Sequence, residues 1–88
     1  MAWSVEFTDI AERRIQKLDP EIRRRIIKFF RERIANVEDP ASITEPLQGE
    51  FRGLWRFRVG DFRVICDIRR KHLLVLVLDI GHRREIYR

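Results

Sequence analysis

Leu54-Trp55-Arg56-Phe57-Arg58-Val59-Gly60-Asp61-Phe62-Arg63-Val64-Ile65 is the stretch on which the fold turns. Apolar and cationic residues alternate on both sides of Gly60-Asp61. Alternation with a period of two marks a strand with one buried face. Gly60 suits the positive φ that a tight hairpin turn requires. With the turn at Gly60-Asp61, Val59 faces Phe62, Arg58 faces Arg63, Phe57 faces Val64, Arg56 faces Ile65 and Trp55 faces Cys66. Trp55, Phe57, Val59, Phe62, Val64 and Cys66 then share one apolar face, and Arg56, Arg58 and Arg63 share the other. A slip of one residue would set arginine against apolar residues throughout, so the pattern fixes its own register.

The flanking segments extend this hairpin. Residues 72–80 form a further strand after a turn at Arg70-Lys71. It is apolar on both faces, as an inner strand covered on each side would be. In the meander 54–59, 62–69 and 72–80 the last strand ends beside the start of the middle one, with Leu78 facing Arg63. At the N-terminus, Trp3, Val5 and Phe7 alternate with Ser4 and Glu6, the pattern of a short strand over residues 2–7. Thr8 or Asp9 caps a helix with Ala11, Ile15 and Leu18 on its apolar side. Asp19-Pro20-Glu21 starts a second helix: Asp accepts free N–H groups, Pro fits the first turn and Glu complements the dipole. Ile22, Ile26, Phe29 or Phe30, Ile34 and Val37 follow at helical spacing. Residues 38–53, with Pro40, Pro46, Gly49 and Gly53, show no period and form a connection that packs or carries a turn of its own. The expected fold class is α+β, in the order β-α-α-β-β-β. A helix pair packs on one face of a mainly antiparallel four-stranded sheet.

Composition agrees with one small domain over residues 1–88. A chain of 88 residues buries about 60% of its unfolded surface, so the core is modest. The longest apolar run, Leu73–Leu78, is far short of the roughly 20 residues that span a bilayer. With no N-terminal signal segment, a cytoplasmic protein without membrane contact is expected. One cysteine, Cys66, cannot form an internal disulfide, and with His72 and His82 it makes no zinc-like set. No metal or other cofactor is expected. Nineteen Lys and Arg face fourteen Asp and Glu, for a net charge of +5. Only Lys17, Lys28 and Lys71 are lysines. Arginine presents a planar fork that binds phosphate bidentately, so this balance favours an anionic partner such as nucleic acid.

Arg58 and Arg63, directly opposed, repel each other at a cost in stability. Either Asp61, Asp67 or Glu85 neutralises the cluster in a surface salt-bridge network, or the arginines form a phosphate cradle. Arginine forks on a phosphodiester can stabilise the extra charge of a pentacoordinate transition state. The tail His82-Arg83-Arg84-Glu85-Ile86-Tyr87-Arg88 leaves the sheet at the same end. Tyr87 either tethers the tail by packing or acts in chemistry. Neighbouring cations favour its phenolate, which can take a proton from a ribose 2′-hydroxyl, and its ring can stack on a base. His82 is either a loop residue or a proton carrier that titrates near neutrality. Glu85 is read as an arginine partner, and Cys66 as core. Arg13, Arg14, Arg23, Arg24, Arg25, Arg31 and Arg33 are either an RNA-facing surface or a solvated helix face. Both Ile26-Ile27 and Phe29-Phe30 widen the apolar stripe of Ile22–Ile34, whose edge fits an amphipathic partner segment.

Three segments resemble the RelE branch of the RelE/ParE toxin superfamily: Leu47-Gln48-Gly49, Leu54 to Ile65, and Gly81-His82-Arg83-Arg84-Glu85-Ile86-Tyr87-Arg88. The likeness covers essentially the whole chain. It implies the toxin of a type II toxin–antitoxin system, a hydrolase-class, metal-free mRNA interferase that enters the ribosomal A site. There the messenger's 2′-hydroxyl attacks the adjacent phosphate, leaving a 2′,3′-cyclic phosphate and a 5′-hydroxyl. It also implies a RelB-like antitoxin with an acidic or amphipathic segment, and a toxin–antitoxin complex that binds operator DNA.

By position, the resemblance makes Arg58, Arg63, Arg83 and Tyr87 the catalytic candidates, and Arg56, His82 and Arg84 the RNA- or ribosome-binding ones. Arg56 and Arg58 stand where relatives often have lysine. Guanidinium stays protonated and cannot serve as a base. That shifts proton transfer to Tyr87 or leaves catalysis mainly electrostatic. Two rival readings share the fold, which does not fix function. One is a ParE-like inhibitor of DNA gyrase without nuclease chemistry. The other is a decayed toxin that only binds antitoxin or RNA.

Overall fold

A computed structural model describes residues 2–82. Arg83, Arg84, Glu85 and Tyr87 therefore lie outside the described residues. Strand β1 (Ser4–Phe7) leads into helix α1 (Asp9–Gln16). The Thr8 hydroxyl oxygen accepts the Ala11 N–H at 3.2 Å and donates to the Leu78 carbonyl at 3.1 Å. One side chain thus caps the helix and pins its start to the sheet. Asp19 caps α2 (Pro20–Lys28) by accepting from the Glu21 N–H at 3.3 Å.

The second helix does not continue as a regular one. From Phe29 to Ile34 it widens into a π-helical turn, closed by the Ala35 N–H donating to the Phe30 carbonyl at 3.1 Å. The helix ends before Val37, which the spacing had included. The wide turn lets two adjacent aromatics reach the sheet. Phe29 and Phe30 lie edge-to-face with Phe57 at 5.9 and 5.5 Å, a geometry that favours aromatic pairs. Buried around them are Trp3, Ala11, Ile15, Ile26, Ile34, Val64, Cys66, Val75, Val77 and Ile80.

The sheet has five strands rather than the expected four, in the order β1-β5-β4-β3-β2. The added strand β2 is Glu45–Pro46, pairing antiparallel with the start of β3 (Trp55–Val59). Proline cannot donate to a ladder and fits such an edge. The connection that carries it also holds short 3-10 turns at Pro40–Ile43 and Gly49–Phe51. β3 pairs with β4 (Phe62–Arg69) in the expected register: Val59 with Phe62, Arg58 with Arg63, Phe57 with Val64. Gly60 takes φ +60 while Asp61 stays negative, as in a hairpin turn with glycine first.

The second hairpin departs from expectation twice. Its loop is a 3-10 turn at Arg70–His72 followed by Leu73 in the left-handed region (φ 48), so β5 runs Leu74–His82. A bulge then intervenes. Ile65 pairs with Asp79 and Cys66 with Val77, which leaves Leu78 as the extra residue. Gly81, not Leu78, therefore faces Arg63. β5 is an inner strand, parallel to β1 and antiparallel to β4. It is not covered equally on both sides: Val75, Val77 and Ile80 are buried under the helices, whereas Leu74, Leu76 and Leu78 are half-buried.

Candidate functional site

The β3–β4 hairpin presents Arg56, Arg58 and Arg63 on the face away from the helices, because Phe57, Val59, Val64 and Cys66 claim the other. Arg58 and Arg63 are cross-strand partners. The anion that offsets their repulsion is Glu45. One of its oxygens (Oε2) lies 2.7 Å from Arg56 Nη2, and the other (Oε1) 2.8 Å from Arg58 Nε. The Arg56 hydrogen bond, with the charges of Arg56, Arg58 and Arg63, holds the Glu45 carboxyl below its ordinary value, against a smaller opposing effect of burial. Asp67 is engaged elsewhere, with Arg69 at 3.0 Å, and Asp61 is exposed at the turn. The neutralising role expected of those two thus falls to an edge-strand residue the sequence reading passed over. Glu45 lies in an aperiodic Thr-Glu-Pro stretch, and only the tertiary pairing with Arg56 brings it onto this face. The Thr44 hydroxyl donates to the Arg56 carbonyl and fixes the same edge.

The two arginines held by Glu45 differ in freedom. Arg56 is 18% exposed and Arg58 58%. Arg63 folds back on its turn, its Nη1 donating to the Gly60 and Phe62 carbonyls at 3.1 Å. Its Nε is buried and finds no partner among the described residues. Three guanidinium groups thus converge on one patch beside a cleft of about 190 Å³ lined by Phe29, Arg33, Thr44, Glu45, Arg56 and Arg58.

His82 is on the opposite face. It pairs with Phe62 across the strands, and the two rings meet edge-to-face at 5.6 Å. It lines a separate cleft of about 560 Å³ between α1 and the end of β5, with Arg13, Arg14, Lys17 and Leu18. The structure therefore gathers Arg56, Arg58 and Arg63 and sets His82 apart from them. Several helical arginines have partners within the protein. Arg14 bridges Asp79 at 3.0 Å, and Arg33 lies 5.8 Å above the Phe29 ring. Arg25 covers Gly60 so closely that a Cβ there would meet its Nη1 at 3.3 Å. Cys66 is fully buried, and burial pushes its thiol well above 9.0. Among the described residues no three His, Cys, Asp or Glu side chains are placed to hold a metal ion. No helix among them is long and apolar enough to cross a membrane.

Known proteins share this fold. The family described as the ParE toxin of type II toxin–antitoxin systems, parDE, matches residues 5–87. Toxin RelG of Mycobacterium tuberculosis is 32% identical over 88 residues, covering all of this chain and 99% of the relative. Toxin RelE of the same organism is 30% identical over 86 residues, or 98% and 87% of the two chains. In the crystal structure of the toxin–antitoxin complex RelBE2 from M. tuberculosis, one chain superposes with a TM-score of 0.85 at 28% identity, covering 93% and 92%. A family match over nearly the whole chain, two toxins at this identity and the same fold converge. The chain belongs to the RelE/ParE superfamily and is a RelE-like toxin of a type II toxin–antitoxin system.

Proposed function

We propose that this toxin is a ribosome-dependent endoribonuclease that cuts messenger RNA in the A site by metal-free attack of a 2′-hydroxyl. The observation that carries the reading is the gathering of Arg56, Arg58 and Arg63 on one face of the β3–β4 hairpin. In the proposed step the ribose 2′-oxygen bonds to the adjacent phosphorus and its proton passes to Tyr87. The bond from phosphorus to the 5′-oxygen breaks, and that oxygen takes up a proton from water, while Tyr87 returns the proton it accepted to solvent. The products are a 2′,3′-cyclic phosphate and a 5′-hydroxyl. Arg58 and Arg63 hold the non-bridging oxygens, whose charge grows in the transition state. Arg83 supports the departing 5′-oxygen. Arg56, Arg84 and His82 contribute to RNA or ribosome binding, with His82 acting from the far face.

The partners follow from the same reading. The toxin is held inactive by a RelB-like antitoxin through an acidic or amphipathic segment, and the pair binds operator DNA. Most of the wide stripe on α2 is spent on the core through Phe29 and Phe30. Ile27 remains half-buried and lines a groove of about 270 Å³ with Val5, Phe7, Phe30, Arg31 and Ala35. That groove fits an apolar edge of the antitoxin segment. Deleting the antitoxin's toxin-binding segment is expected to abolish complex formation, and unchanged binding would refute this docking.

The decisive experiment adds purified toxin to a reconstituted translation system and maps cuts by primer extension, with and without ribosomes. Cuts at the A-site codon only when ribosomes are present support the proposal. The ParE family match favours a second reading, inhibition of DNA gyrase. An uncut messenger together with inhibited supercoiling would establish that reading instead.

A further inference from the structure

Glu45 sits where the fields of three arginines meet. One oxygen accepts from Arg56 Nη2 at 2.7 Å, the other makes an ion pair with Arg58 Nε at 2.8 Å, and Arg63 adds its charge. A phosphodiester oxygen on this face would need the same donors, and a carboxylate already in place repels it. The two contacts are unequal. Arg56 is mostly covered, whereas Arg58 is 58% and Glu45 45% exposed. An exposed ion pair is weak in water and weaker in salt, so the Arg58–Glu45 contact is the one that yields.

We propose that Glu45 is a resident competitor for RNA phosphate: it is paired with Arg56 and Arg58 in the free toxin and releases Arg58 when a phosphodiester binds. It thereby sets the affinity of this face for single-stranded RNA. The inference rests on the phosphate-cradle reading above. Arg56 remains Glu45's tether throughout. Glu45 thus keeps the two guanidinium groups apart and aligned while the face is empty, and weakens contact with RNA that is not otherwise held there.

The test measures binding of a fluorescein-labelled 2′-O-methyl oligoribonucleotide, which lacks the attacking hydroxyl and cannot be cut. Glu45→Gln keeps the side chain's shape and removes its charge. Each phosphate contact on a single strand contributes a slope of about 0.7 in log K against log salt. One freed arginine is then worth about eightfold in affinity at about 50 mM salt, taking 1 M as reference. Glu45→Gln is expected to tighten binding by about that factor and steepen the slope by about 0.7. Glu12→Gln, the same charge change on exposed α1, provides the baseline for net charge. In an Arg58→Ala background the gain from Glu45→Gln is expected to vanish. In the unaltered protein the 13C signal of the Glu45 carboxylate is expected to move when the oligonucleotide binds. Four results would overturn the proposal: a gain no larger than that of Glu12→Gln, weaker binding by Glu45→Gln, a gain that survives loss of Arg58, or an unmoved carboxylate signal. The readout is binding, so it stands apart from ribosome-dependent cleavage: an inactive wild-type toxin would sink the nuclease reading and leave this test intact.

Discussion

Replacing Gly60 by alanine tests how the hairpin is held. Gly60 sits at φ +60, and a Cβ added there would lie 3.3 Å from Arg25 Nη1. Three effects therefore act on the variant. An L-residue held in a sparsely populated backbone region costs about 1–3 kcal/mol. The unfolded chain loses entropy on gaining a Cβ, which offsets about 0.4–1 kcal/mol. The approach to Arg25 involves the free end of a flexible side chain, which moves aside at little cost. The backbone effect wins, and the expected net loss is about 1–2 kcal/mol. For a domain of this size each kcal/mol shifts the melting temperature by about 4–8 °C, so Gly60→Ala is expected to melt about 4–16 °C below the parent. Thermal unfolding followed by circular dichroism measures this directly. Gly60→Asn is expected to lose less, because asparagine tolerates positive φ better. An Arg25→Ala background separates the contact with Arg25 from the backbone effect. If strain dominates, the loss is the same in both backgrounds to within about 0.5 kcal/mol. A Gly60→Ala protein as stable as its parent, or a loss that disappears without Arg25, would refute the reasoning.

Other outcomes can be checked alongside it. Arg58→Ala and Arg63→Ala are each expected to lower ribosome-dependent cleavage by at least tenfold, about one charge-assisted contact, while leaving the melting temperature within a few degrees; primer extension and calorimetry read the two. Arg83→Ala is expected to remove cleavage and leave antitoxin binding intact, as a pull-down with the cognate antitoxin would show. Arg70 and Arg56 hold the carboxyls of Asp39 and Glu45 below their ordinary values of 3.8 and 4.5. Their contribution to stability is therefore present above those values and is lost as pH falls through the lower folded ones. Urea unfolding below about pH 4.5 is expected to show a decline that Asp39→Asn with Glu45→Gln flattens. Burial and a raised thiol pKa make Cys66 inert in the native state, so a thiol reagent is expected to label it only at the rate of unfolding.

The sequence carried some of these features plainly and others not at all. The β3–β4 register was legible because six apolar residues and three arginines leave only one parity that keeps charge out of the core. The caps at Thr8 and Asp19 were legible because their chemistry is local. The π-helical turn was not: Phe29 and Phe30 both fit a helical stripe, and only the demand of Phe57 on both rings selects the wider turn. The bulge at Leu78 was equally hidden, since a run of alternating leucine and valine reads the same on either side of an inserted residue. Leu73 in a left-handed conformation gave no signal, because leucine is not a residue that announces positive φ. Within the candidate site, the three arginines could be placed from the turn alone. Their carboxylate partner could not, because Glu45 reaches them through an edge strand only two residues long. Nor did the sequence place His82 on a face: two further residues of β5 and one bulge pair it with Phe62 on the helix side.

The pairing of β1 with β5 has a consequence for the order of assembly. Ser4 lies beside Leu74 and Phe7 beside Val77, so the first strand meets its neighbour from the far end of the chain. Closing a loop of about 70 residues costs about 3.8 kcal/mol of chain entropy beyond a constant term, whereas each hairpin closes locally. The meander β3–β4–β5 is therefore expected to form first and β1 to dock last, which pulsed hydrogen exchange would show as late protection at Glu6 relative to Val64. During synthesis from the N-terminus, β1 emerges early and waits for β5 to be made. An interrupted translation product that stops short of Leu74 has no seat for its first strand and cannot complete the sheet.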